Sequence, residues 1–183
     1  MNSSRNICLC GFMAAGKSRI GAKLAALMQR NFLDLDSEIE HRMEMKIPEI
    51  FKNRGEAFFR TQERVTLLNL LEEKENSVIA LGGGALQNQE HTAKVLSESI
   101  LVYLRAPEDV IVARLSKDKS RPKLRKEDGS MRTESELKKL VQDMLSEREP
   151  LYLKSNIIFD ISGNDTVDTN AENLYRLLHN YEG

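Results

Sequence analysis

Gly11-Phe12-Met13-Ala14-Ala15-Gly16-Lys17-Ser18 is the most informative run of residues in the chain. It has the pattern G-x-x-x-x-G-K-[ST], in which two glycines let the backbone curl until successive N–H groups point inward at phosphate oxygens. The apolar run Asn6 to Cys10 leads in as a strand. An amphipathic helix from Lys17 to Gln29 leads out, with Ile20, Leu24, Leu27 and Met28 on one face. The start of that helix adds positive partial charge. Lys17 is suited to neutralise the β- and γ-phosphates of a nucleotide, and the Ser18 hydroxyl to ligate Mg2+. A mere glycine-rich turn with an exposed lysine would not need this strand-helix frame.

On either side of this motif, strand-like runs alternate with helical patterns, as in an α/β domain with a largely parallel sheet. Phe32 to Asp36 reads as a second strand, followed by helical stretches over Ser37 to Arg54 and Glu56 to Lys74. Pro48 fits near the start of a new helical turn inside the first stretch. Ser77 to Leu81 is a third strand and runs into Gly82-Gly83-Gly84. Ile100 to Leu104 is the fourth, with a helix beginning at Pro107. Lys117 to Arg132 breaks the pattern, being mostly charged. Thr133 with Glu136 forms a capping-box signature for a helix expected to end before Pro150. Asn156 to Ile161 is the fifth strand, and the last helix uses Ala171, Leu174, Leu177 and Leu178. No repeat or linker divides the chain, so a single domain over 1–183 is expected.

Its 183 residues suffice for one core. With 27 basic and 28 acidic side chains, net charge −1, no field of one sign argues for nucleic acid or a membrane surface. An anionic ligand must then be held by locally placed cations. The apolar run Ile7 to Met13 is too short to span a bilayer. Cys8 and Cys10 have neither metal-ligand spacing nor a disulfide framework, and read as small buried thiols of a cytoplasmic protein.

Ligands of open parallel sheets bind beyond the carboxyl ends of the strands. The second strand ends Leu33-Asp34-Leu35-Asp36, with both carboxylates on one side if it stays extended. One could orient Mg2+ and the other accept a hydroxyl proton, or Asp36 or Ser37 could simply cap the next helix. The three glycines after the third strand permit a ligand to lie against bare backbone. Arg60, Arg121 and Arg148 could clamp a carboxylate or the transferring phosphoryl group, though spacing alone does not show that they converge. The segment Lys117 to Arg132 could be a lid over ATP or a surface loop.

At this point the chain resembles the shikimate kinase family over nearly its whole length. The matching motifs are G-F-M-A-A-G-K-S at Gly11 to Ser18, L-D-L-D at Leu33 to Asp36, and I-P-E-I-F at Ile47 to Phe51. G-E-A-F-F-R at Gly55 to Arg60, G-G-G-A at Gly82 to Ala85, S-R-P-K-L at Ser120 to Leu124, and R-E-P-L-Y at Arg148 to Tyr152 complete the set. The resemblance implies a P-loop, nucleoside-monophosphate-kinase-like fold: a five-stranded parallel sheet flanked by helices on both faces. It further implies an acceptor-binding subdomain at 37–62, a lid at 117–132, and transfer of phosphate from ATP to the 3-hydroxyl of shikimate, a step towards chorismate.

Carried over residue by residue, it makes Lys17, Asp36 and Arg121 catalytic, with Asp36 the proposed base. Ala14, Ala15, Gly16, Lys17, Ser18, Arg19, Arg114 and Arg121 would contact ATP. Asp36, Arg60, Gly82, Gly83, Gly84 and Arg148 would bind shikimate, with Glu63, Phe51 and Phe59 behind them. Ser18 would hold Mg2+ directly and Asp34 through water. Ala14 stands where the family usually has Gly, Arg19 where it has Ser or Thr, and Lys123 where it has an apolar residue. The partners implied are ATP and shikimate, and a charged single-domain chain is expected to be a soluble monomer. Two rivals remain: a kinase of the same fold for gluconate or a nucleoside monophosphate, and a nucleotide-binding module with no acceptor.

Overall fold

The structure is a computed structural model that describes residues 5–73, 75–117, 130 and 132–182. Five parallel strands form the sheet: β1 (Asn6–Cys10), β2 (Asn31–Asp34), β3 (Ser77–Ala80), β4 (Ser99–Arg105) and β5 (Ile157–Asp160), in the order β2-β3-β1-β4-β5. The helices are α1 (Lys17–Met28), α2 (Leu35–Met43), α3 (Ile47–Glu73), α4 (Gln89–Glu98), α5 (Glu108–Leu115), α6 (Glu134–Tyr152) and α7 (Val167–Glu182). A short 3₁₀ turn at Ala85–Gln87 follows the glycine run.

Strand alternation divides the core between the two faces of the sheet. Ile7, Leu9, Val78, Ile100, Val102 and Leu104 pack with Ile20 and Leu24 of α1 and Leu174 and Leu178 of α7. The intervening Cys8, Cys10, Ile79, Leu101 and Tyr103 pack on the other side with Leu35, Ile39, Ile50 and Leu67 of α2 and α3. Both faces are thus covered, as an all-parallel sheet requires. Cys8 and Cys10 share a face as free, buried thiols. No helix among the described residues is long and apolar enough to cross a membrane.

Several elements depart from the sequence reading. β2 stops at Asp34, and Leu35 already begins α2, so Asp34 and Asp36 do not lie along one extended strand. Asp34 is itself the cap: its carboxylate accepts from the N–H groups of Asp36 and Ser37 at the helix start. Helix α4 escaped the reading, although Asn88 caps it through the Glu90 and His91 N–H groups. The first expected stretch, Ser37 to Arg54, is broken at Glu44, which ends α2 at φ +48°, and its second half opens α3, which runs on through the second stretch with a kink at Gly55, where φ is +81°. Pro48 sits in the first turn of α3, as its missing N–H favours.

The capping box at Thr133 and Glu136 opens α6, but the helix continues through Pro150 to Tyr152. Proline removes one backbone donor there, and the contacts of the last turn hold it helical nonetheless. Leu27 (44% exposed) and Leu177 (40%) lie off their buried faces. In α1 the buried residues are Ile20, Gly21, Leu24 and Ala25. Their common direction lies roughly 90° from Leu27 at about 100° per residue. Gly21 sets that direction, because a Cβ there would come 2.7 Å from the Phe32 ring and 3.0 Å from Leu9.

Candidate functional site

Strand order brings the site together. β3 lies between β2 and β1, so the glycine run after β3 emerges between the Asp34–Asp36 segment and the loop after β1. In that loop Gly11 (φ +135°) and Gly16 (φ +106°) occupy conformations that disfavour a side chain. A Cβ on Gly11 would also stand 2.6 Å from the Leu104 carbonyl oxygen. Gly16 precedes α1 without any side-chain cap, so no side chain claims the first N–H groups of that helix. Lys17 Nζ arches back to donate to the carbonyls of Gly11 (2.9 Å) and Phe12 (3.0 Å). From α5, Arg114 Nη1 donates to the carbonyls of Ala14 (2.9 Å) and Ala15 (3.1 Å), tying the loop from outside. Ala14 itself has φ +61°, a left-handed conformation at the position where the sequence departs from glycine.

Ser18 Oγ donates to Asp34 Oδ2 at 2.5 Å, joining the first turn of α1 to the end of β2. Ser18, Asp34, Asp36, Lys17, Arg19 and Gly83 line a common cavity of about 170 Å³. The two adjoining donors, a hydroxyl and a carboxylate, are the hard oxygen ligands that Mg2+ takes. Among the described residues no group of three or more His, Cys, Asp or Glu could hold a metal.

Asp36 turns from α2 over Gly82, and Glu63 reaches the same point from α3. A Cβ on Gly82 would lie 2.9 Å from Asp36 Oδ1 and 2.9 Å from Glu63 Oε1. At Gly84 a Cβ would lie 2.8 Å from Arg60 Nη1, and at Gly83 3.5 Å from Arg148 Nη1. Two carboxylates and two guanidinium groups therefore close over three consecutive glycines, the convergence that residue spacing left open. At Gly82 and Gly84 a side chain would crowd these charged groups where they stand, while at Gly83 the 3.5 Å contact is ordinary packing.

Arg60 is held by Glu63 (2.8 Å) and Glu56 (3.1 Å). Burial pushes the Glu63 carboxyl above its usual range, against the opposing pull of Arg60 and Arg148. Burial would lower the Arg60 guanidinium, yet its bonds to Glu63 and Glu56 leave it raised. Arg148 is only 7% exposed and donates from Nη1 to the Gly83 carbonyl at 3.1 Å. Its Nε is buried with no partner among the described residues. Phe59 is buried in the core beneath α2 and α3, and the partly buried Phe51 packs on it with the ring centroids 4.7 Å apart and the planes tilted by 32°. Arg121, Lys123 and nearly all of the expected lid lie outside the described residues.

One member went unread in the sequence beyond its place in a motif. Tyr152 donates from its hydroxyl to the same Gly83 carbonyl at 2.6 Å. Its ring packs 5.1 Å from Tyr103, whose hydroxyl donates to Glu149 Oε1 at 3.1 Å. Arg148 and Tyr152 are four residues apart and share a helix face only because α6 passes through Pro150. Taking Pro150 as a stop hid that pairing.

The site thus joins a phosphate-binding loop to a small polar pocket with a carboxylate and two cations. That combination suits transfer of a phosphoryl group to a hydroxyl of a small anionic acceptor. The family model described as Shikimate kinase matches residues 13–179. A shikimate kinase of Chlorobium phaeobacteroides (strain BS1) is 36% identical over 96% of this chain and 87% of its own length. Among solved structures, shikimate kinase from Bacteroides thetaiotaomicron has a TM-score of 0.86 at 32% identity, covering 96% of this chain and 98% of that one. Shikimate kinase from Acinetobacter baumannii, in complex with shikimate, has a TM-score of 0.84 at 34% identity, covering 98% and 95%.

Proposed function

The chain belongs to the shikimate kinase family, and we propose that it transfers the γ-phosphoryl group of ATP to the 3-hydroxyl of shikimate. One observation carries the acceptor assignment: Asp36, Arg60 and Arg148 converge on Gly82–Gly84 beside the Lys17 loop. Shikimate offers one carboxylate and a set of hydroxyls to that arrangement. Arg60 and Arg148 take the carboxylate, since guanidinium groups present paired donors in a plane. Asp36 accepts a hydrogen bond from the reacting hydroxyl and receives its proton as the oxygen bonds to the γ-phosphorus and ADP departs.

Loop amides and the start of α1 hold the nucleotide phosphates, and Lys17 balances charge that shifts toward the β–γ bridge. Ser18 and Asp34 would hold Mg2+, which when bound neutralises phosphate oxygens. Arg114 fixes the loop that faces ATP. The segment 117–132, with Arg121, is assigned by the family resemblance to closure over ATP, which would exclude water from the transfer. The subdomain at 37–62 carries Asp36's helix onward to Arg60 and closes the acceptor side. A cytoplasmic monomer with no nucleic-acid or membrane partner completes the reading.

The test is Mg-ATP-dependent ADP release with shikimate, gluconate and nucleoside monophosphates offered singly. Stimulation by shikimate alone is expected. Stimulation by gluconate or a nucleotide in its place overturns the acceptor, and ATP binding without any stimulation favours a binding module.

A further inference from the structure

We propose that Tyr152 is a positioning residue of the acceptor site, acting through the peptide that joins Gly83 to Gly84. The inference rests on the assignment of that glycine run to the acceptor. Tyr152 is 2% exposed, and its hydroxyl meets the Gly83 carbonyl at 2.6 Å, while Arg148 Nη1 meets the same oxygen at 3.1 Å. One carbonyl thus receives two donors from one face of α6.

The consequence falls on the other end of the peptide. The described chain has no cis peptide bond, so the Gly84 N–H points opposite to the Gly83 carbonyl and away from α6. The N–H groups of Gly82, Gly83 and Gly84 find no acceptor among the described residues. Two donors on the carbonyl both fix the plane of this peptide and polarise it, so its N–H becomes a better donor to an anionic acceptor. Without side chains, glycines cannot hold their own orientation, and the restraint must come from elsewhere.

Tyr152 also fixes Arg148. The two share an acceptor, so the tyrosine bond keeps the carbonyl where the guanidinium meets it and leaves the remaining guanidinium edge for a carboxylate. The Tyr103 ring against Tyr152, and the Tyr103 bond to Glu149, hold this last turn of α6 beyond Pro150. The burial that keeps the Tyr152 hydroxyl protonated, pushing it up to about 12, keeps it a donor throughout the working range.

Tyr152→Phe removes the hydroxyl and retains the ring. The KM for shikimate should rise about 5- to 20-fold, the range expected from one lost buried hydrogen bond. The KM for ATP should stay within about twofold, a split that loss of packing alone would not give. In protein labelled with ¹⁵N-glycine, the Gly84 amide proton should move upfield in the variant, as its peptide loses polarisation. Should Tyr152→Phe not fold, 3-fluorotyrosine at position 152 keeps ring and hydroxyl, strengthens the donor, and should move the same signal downfield.

An unchanged shikimate KM, equal shifts for both substrates, or an unmoved Gly84 amide would each overturn the proposal. If the unaltered protein shows no turnover with shikimate, the acceptor reading has failed, and the Gly84 signal still decides whether Tyr152 sets the peptide.

Discussion

Arg60 Nη1 stands 2.8 Å from Glu63 Oε2, and the carboxylate of this pair is buried while the guanidinium is partly open to solvent. Glu63 fixes one edge of the guanidinium and Glu56 a second, which places it over Gly84, where the proposed function has it clamp the acceptor carboxylate. Arg60→Lys keeps the charge but cannot present several donors in one plane. The KM for shikimate should then rise at least about tenfold, as for a lost charge-assisted bond, with ATP little affected. Equal loss for both substrates in steady-state kinetics would contradict the clamp.

Lys17 bridges the loop carbonyls of Gly11 and Phe12 and faces the cavity shared with Ser18 and Asp36. Lys17→Met should lower kcat by about 100-fold or more, the usual scale for removing one preorganised charge-stabilising group. Near-normal single-turnover rates in a folded variant would remove Lys17 from the transfer.

Within the Gly11–Ser18 loop, Ala14 is the one residue held left-handed without being glycine. That conformation costs a non-glycine residue about 1–2 kcal/mol, while glycine adds about 0.5–1 kcal/mol of unfolded-state entropy. Ala14→Gly should therefore stabilise by up to about 1.5 kcal/mol, raising Tm by at most roughly 3–6 °C. A lower Tm in calorimetry would show that the loop draws more from the Ala14 methyl than it loses to strain.

The buried thiols set an alkaline limit. Burial pushes Cys8 up to about 12 and Cys10 up to about 11, from 9.0, with hydrogen bonds to Ser99 and Ser155 pulling the other way. From pH 9 upward the unfolded chain releases these protons before the folded one does, so stability falls as pH rises through that window. Urea melts should show the decline, and a Cys8→Ala/Cys10→Ala variant should flatten it between pH 9 and 10. Above pH 10 the buried Tyr103 and Tyr152, both raised by burial, steepen the loss in either protein. An equal slope in both below pH 10 would contradict the thiol account.

Much of this was legible in the residues. The Gly11–Ser18 pattern located the phosphate loop, and apolar runs located the strands: the central β1, β3 and β4 are buried on both faces and read as continuous apolar stretches, while the edge strands β2 and β5 are partly open and carry shorter ones. The capping box at Thr133 was read correctly because its chemistry is local. What failed was decided by contacts between distant residues. Asp34 looked like the end of a strand because its role as a cap depends on where the chain turns. Pro150 looked like a stop because the anchors of the last turn of α6, Gly83 and Tyr103, are remote in sequence. Four arginine and carboxylate side chains meeting over three glycines could be listed from motifs, but only strand order makes them meet.

The most direct test of the central claim is ³¹P NMR of the reaction with Mg-ATP and shikimate, followed to completion. Phosphoryl transfer to shikimate requires loss of the γ-phosphate signal with equal growth of ADP and of a phosphate monoester on the 3-oxygen of shikimate. Growth of inorganic phosphate in place of the ester, or an unchanged spectrum with ATP bound, would contradict it.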